Sequence, residues 1–206
     1  TPAVRTIINV GPQRMVGRLR SLGFSTLQHP NFYGASLALG SADVSLWDMV
    51  NAYRTLGNGG VFSPLRLEPG PDASTKQILD ENAVYVISSI LADKEARSRT
   101  FGFESPLSTP FFSAVKTGTS KDMRDNWCLG FSQHYTVGVW VGNFSGEPMW
   151  NVTGITGAGP IWRDVISYLH KDLTSDPPKP PPGLVKRQVS ISPGGRVYNE
   201  WYLKGS

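Results

Sequence analysis

The chain has 206 residues, 39% of them hydrophobic and 17% charged, which suits one globular core with a tail and excludes an intrinsically disordered protein. Its net charge of +4 is too small and too scattered for a nucleic-acid binder, and no apolar run reaches membrane-spanning length. The single cysteine, Cys128, excludes an internal disulfide, and its apolar neighbours mark it as a small buried hydrophobe, not a nucleophile.

Thr1-Pro2 can cap a first helix through Val4, Ile7 and Ile8 to Gly11. A second helix follows Pro12, with Met15, Val16, Leu19 and Leu22 on one face and Gly23 as its stop. Residues 24–44 are rich in Gly, Ser, Pro and Asn and are expected to be irregular. Ser45, with Asp48 three residues on, offers an N-cap for a helix carrying Leu46, Met49, Val50 and Tyr53, closed by Asn58-Gly59-Gly60. Pro64–Leu67 and Gln77–Leu79 are short strand candidates. Asp80 caps the next helix, whose stripe of Val84, Ile87, Ile90 and Leu91 is expected in the core. Lys94, Arg97 and Arg99 then serve either as partners of that helix's C-terminal dipole or as solvated charges.

Three apolar runs follow, at 111–116, 127–131 and 135–144. The short Ser132-Gln133-His134 connection predicts a hairpin, so three adjacent antiparallel strands are expected. Gly138 and Gly142 share one face of the last strand and leave room for a helix. Pro160 opens a final helix, with Ile161, Val165 and Leu169 on one side and Trp162, Ile166 and Leu173 beside them, expected to cover that sheet. The fold class is therefore α+β, an antiparallel sheet packed with helices. Residues 1–173 form the domain, and 174–206 a tail whose block Pro177–Pro182 makes an extended linker. Val185–Leu203 is too short for a domain and is expected to lead into a further segment.

The chemistry concentrates in Ala114-Val115-Lys116-Thr117-Gly118-Thr119-Ser120. On a strand, Lys116 and Gly118 share one face, while Thr117 and Thr119 share the other. An ammonium, two hydroxyls and a bare backbone at Gly118 suit the docking of a carboxylated peptide at a strand edge. Ser113 and Lys116 make a formal Ser-Xaa-Xaa-Lys, but it is a decoy. That motif needs a helix to bring i and i+3 together, and a strand sets them on opposite faces. No Ser-Xaa-Asn occurs. His29, His134 and His170 lack metal-ligand spacing, and 154–159 lacks the glycine order of a dinucleotide site, so neither metal nor cofactor is expected.

The run from Val115 to Ser132, with Val137–Asn143, Gly154–Trp162, Ser36–Gly40 and Val44–Tyr53, resembles the C-terminal half of the transpeptidase domain of bacterial class A penicillin-binding proteins. The resemblance covers most of residues 1–173. It implies a serine D,D-transpeptidase that cross-links peptidoglycan stem peptides and is acylated by β-lactams. It also implies a periplasmic protein anchored in the inner membrane through an N-terminal segment, with the nucleophilic serine and a glycosyltransferase domain further upstream. Lys116 would bind the substrate carboxylate and organise proton transfer. The Thr117 and Thr119 hydroxyls would contact that carboxylate, the Thr119 N–H would be an oxyanion donor, and Gly118 would let the peptide approach. Alternative readings are a D,D-carboxypeptidase or β-lactamase of the same superfamily, or a non-catalytic peptide-binding module on a decayed transpeptidase fold.

Overall fold

The structure, a computed structural model, describes residues 2–68, 70–71, 74–102, 105–190 and 197–205. The Thr1 cap lies outside them. Helices α1 (Pro2–Val10) and α2 (Pro12–Ser21) start on prolines, whose missing N–H costs nothing in a first turn. The 24–44 stretch is not wholly irregular, since it holds a short α3 (Pro30–Tyr33) and a 3₁₀ turn over Gly34–Leu39. His29 begins it by accepting the Asn31 N–H at Nδ1. Ile7, Val16, Leu22, Phe24, Leu27, Tyr33, Leu37 and Ala52 close a first core around these elements.

Ser45 caps α4 (Leu46–Gly57) by accepting the Asp48 N–H at 3.0 Å. This helix serves two layers. Ala52 and Met49 join the first core, while Leu46 and Val50 press on the sheet. The 64–67 strand expectation fails. The pairing strands are β1 (Val61–Phe62) and β2 (Lys76–Gln77), joined antiparallel from Val61 opposite Gln77.

Asp80 caps α5 (Glu81–Ala92) through the Asn82 and Ala83 N–H groups. Its stripe is only half in the core: Val84 is buried, but Ile87 and Ile90 are 45% and 59% exposed. The basic residues do not end this helix either. Asp93 accepts the Ala96 N–H and begins α6 (Lys94–Phe101). Lys94 donates to the Thr109 carbonyl, Arg97 to that of Leu91 and Arg99 to the Tyr198 hydroxyl. They tie loops and tail together, and Lys94 and Arg99 do so while remaining exposed to solvent.

The central sheet has the order β3 (Ala114–Thr119), β4 (Asp125–Phe131), β5 (Thr136–Gly142), all antiparallel, as the hairpin spacing predicts. The first strand begins three residues later than the apolar run. Phe112 bonds its N–H to Ser175 O, and Ser113 shares a 2.9 Å hydroxyl contact with Thr109, so this part of the run is spent outside the ladder.

Register assigns the two faces. Val115, Gly130 and Val137 lie in one row and Thr117, Cys128 and Val139 in the next. Helix α7 (Ala158–Leu169) covers this face with Trp162 and Ile166, both fully buried, while Ile161 and Val165 point largely outward. The glycine that admits α7 is Gly130, where a Cβ would lie 2.6 Å from the Trp162 ring. Gly138 admits α4 on the other face, its absent Cβ being 2.5 Å from Val50. Gly142 faces Trp140 and the Arg124 carbonyl, with no helix there.

After α7, Ser175 locks back onto the body, donating its hydroxyl to Phe112 O and accepting the Gln133 N–H. Pro177–Pro180 are exposed and outside any regular element. A hairpin of β6 (Leu184–Ser190) and β7 (Val197–Leu203) follows, and Trp201 meets Tyr85 of α5 edge-on at 5.1 Å. The tail is thus folded against α5.

Trp162→Ala empties the space under α7 and removes the indole N–H bonded to Val137 O at 3.2 Å. Chemical denaturation should read a loss of about 3–5 kcal/mol. A loss below about 1 kcal/mol would mean that α7 is not what closes this core.

Candidate active site

Strand β3 lies at one end of the sheet order, so one side of its backbone has no strand partner among the described residues. Which groups face that side follows from one bond at its end. Ser120 donates its N–H to Asp125 O at 2.9 Å, and Asp125 returns its own N–H to Ser120 Oγ at 2.8 Å. Backbone direction alternates along an antiparallel strand. Ser120, Gly118 and Lys116 therefore bond inward to β4, and the N–H and C=O of Thr117 and Thr119 point to the open edge.

The side chains divide as the alternation predicts. Lys116 and Gly118 lie on the α4 face and Thr117 and Thr119 on the α7 face, so the four candidate residues share one strand edge but not one surface. The exposed Lys116 donates from Nζ to the Thr117 carbonyl at 2.5 Å, curling toward that edge. Thr119 Oγ1 accepts the Gly154 N–H at 2.9 Å. Gly154 can come that close because it lacks a side chain: a Cβ would fall 2.4 Å from Gly118 O and 2.8 Å from Trp127 O. The accepting bond orients the Thr119 hydroxyl and leaves its hydrogen for an outside acceptor.

An aromatic row that motif reading missed starts beside Gly118. A Cβ on Gly118 would sit 3.6 Å from that of Trp127. Trp127 and Trp140 lie 6.4 Å apart between ring centres, and Trp140 lies 5.5 Å from the fully exposed Phe144. The signal was the cross-strand alignment of Gly118, Trp127 and Trp140, legible only once the register is known. Asp125 fixes this row by accepting the Trp140 indole N–H at 2.9 Å. Arg124 pairs with Asp122 at 3.9 Å and donates to Gly146 O, both within the neighbouring loops.

Neither nearby nucleophile fits covalent chemistry. Ser113 is buried and its hydroxyl is held by Thr109. Burial pushes the Cys128 thiol up to about 12, against the pull of Lys116 and Arg97. Burial likewise raises Tyr53 to about 12, and it lowers Arg97, opposed by Asp93 and Cys128. A thiol whose folded pKa lies above its unfolded value of about 8.5 adds stability below that value and loses it as pH rises toward 12. Stability should therefore decline between roughly pH 9 and 12. Cys128→Ala should make that decline shallower, by up to about 1.4 kcal/mol per pH unit. Urea midpoints across this range test it, and identical slopes in both proteins would refute it.

No protein-family model matches the chain. Penicillin-binding protein 1C of Escherichia coli is 33% identical over 220 aligned residues, covering 100% of this chain and 28% of that protein. The crystal structure of penicillin-binding protein 1A from Haemophilus influenzae superposes with a TM-score of 0.76 at 18% identity, over 98% of this chain and 38% of that one. PonA1, a penicillin-binding protein of Mycobacterium tuberculosis, gives a TM-score of 0.71 at 22% identity, over 86% of this chain and 56% of its own. The chain thus spans under a third of the curated relative it matches end to end. These two structural likenesses establish an α+β fold shared with penicillin-binding proteins. Homologous along its whole length to penicillin-binding protein 1C and built on that fold, the chain belongs to the penicillin-binding protein family.

Proposed function

We propose that this chain is the carboxylate-binding half of a peptidoglycan D,D-transpeptidase site whose nucleophilic serine is supplied from upstream in the intact protein. The observation that carries the reading is the open edge of β3. There Lys116 reaches the edge on one face, Thr119 offers its hydroxyl on the other, and the Thr119 N–H points outward between them.

A stem peptide laid along this edge would pair its backbone with the Thr117 and Thr119 groups. The Lys116 ammonium and the threonine hydroxyls would hold its terminal carboxylate. The upstream serine would attack the penultimate D-alanine carbonyl, with the Thr119 N–H stabilising the oxyanion. The peptide bond to the last D-alanine would break and that residue leave with the proton. An amine from a second stem peptide would then attack the ester and release the serine. A β-lactam would open its ring amide on the same serine and remain as the ester. The setting for this reaction is the cell envelope, on the periplasmic side of the inner membrane.

The test is labelling with a fluorescent penicillin, followed by denaturing electrophoresis and peptide mapping. The 206-residue chain should take no covalent label, Ser113 included, whereas a protein extended upstream to include the serine should label. In that longer protein Lys116→Ala should slow acylation by about 10²–10³-fold. Label on Ser113, or full-rate labelling of Lys116→Ala, would sink the reading.

A further inference from the structure

We propose that His134 and His170 form a two-histidine site for a divalent transition metal, although nothing in their sequence spacing suggested one. His170 ends α7 and is buried, and its Nδ1 lies 2.9 Å from the Ile166 carbonyl. A carbonyl only accepts, so Nδ1 carries a proton, and Nε2 is the nitrogen left to offer a lone pair to a metal. That Nε2 is shut off from solvent and has no hydrogen-bond partner among the described residues, a cost in free energy that buried polar atoms seldom bear without a reason. A backbone carbonyl holding one ring nitrogen while the other stays free is the arrangement that orients histidine toward metals.

Three rings surround His170. Phe111 stacks on it at 4.1 Å, Tyr135 stands edge-on at 5.3 Å, and His134 lies at 6.2 Å, tilted by 43°. Of these only His134 brings a nitrogen. Two imidazoles on one tetrahedral ion, with Zn–N of about 2.0–2.1 Å, have centroids roughly 5–6 Å apart. The exposed His134 side chain can close that difference by rotation, while its backbone stays pinned by the Ser132 hydroxyl at 3.2 Å. Among the described residues no third histidine, cysteine or carboxylate joins them, so the coordination would be completed by water from the side of the exposed His134. Two imidazoles favour Cu²⁺, then Ni²⁺ and Zn²⁺. The ion would staple the β4–β5 turn to the end of α7. That is the corner where Gln133 also holds the departing tail, through Ser175 and Asp176.

Cu²⁺ titrated into the chain, followed by calorimetry and electron paramagnetic resonance, tests this. One equivalent should bind with hyperfine coupling to two imidazole nitrogens. His134→Ala, a change at an exposed position, should weaken binding by at least ~10-fold, and His29→Ala should leave it unchanged. His170→Gln puts a buried position at risk, so its role is read in the wild type. There Zn²⁺ should shift the His170 Nε2 nitrogen resonance together with that of His134. A one-nitrogen spectrum, unchanged affinity in His134→Ala, or a silent His170 Nε2 would each overturn the proposal.

Discussion

The indole of Trp162 occupies the volume that any side chain at Gly130 would need, and much of the molecule follows from that contact. It seats α7 directly on the middle strand, where Val115, Cys128 and Val137 surround it and exclude water. With one face sealed by α7, the opposite face receives α4 at Gly138. Lys116 stands on this second face, at the strand where the sheet ends. The chemistry-bearing edge is therefore set by two glycines on the strands beside it, Gly130 and Gly138, at each of which a helix approaches the backbone closely.

Much of this architecture was legible in the chain. Ser45 and Asp80 announced helix starts through the hydrogen bonds their side chains make, and the hairpin at Gln133-His134 followed from loop length. The readings that failed did so for physical reasons. The α5 stripe was periodic, but periodicity reports a face that prefers burial, not what buries it. Ile87 and Ile90 remain exposed on that face. The Phe111–Ser113 run looked like strand because it is apolar. Its backbone is instead used to hold Ser175, and its first ring to cover His170. The tail read as a linker because prolines dominate its start. The alternation after it, Val185, Arg187 and Val189 answered by Tyr202, Glu200 and Tyr198, was the hairpin signal that went unread.

Within the site, the four residues of the motif were easy to find and their relationship was not. Alternation alone separates Lys116 from Thr117 and Thr119, which looks like a poor arrangement for holding one ligand group. The Ser120–Asp125 bond resolves the difficulty, because it fixes which backbone groups face outward. Once the Thr117 and Thr119 peptides are known to face the open edge, the edge itself becomes the common ground of all four residues.

A ligand that used either face alone would meet only part of this set. One lying along the edge meets the Lys116 ammonium from one side, the Thr119 hydroxyl from the other and two outward peptide units between them. It also meets Lys116 already engaged, since the ammonium rests on Thr117 O. A peptide N–H that pairs with Thr117 O competes for that carbonyl and loosens the lysine. The ammonium is then free for a carboxylate arriving on the same peptide. In the proposed binding mode, backbone pairing and charge recognition would thereby be coupled through one oxygen atom, and a free carboxylate without an extended backbone would gain only half of the interaction. The Gly154 N–H holds the Thr119 hydroxyl in place, so on that side the strand would need no rearrangement to receive the proposed peptide.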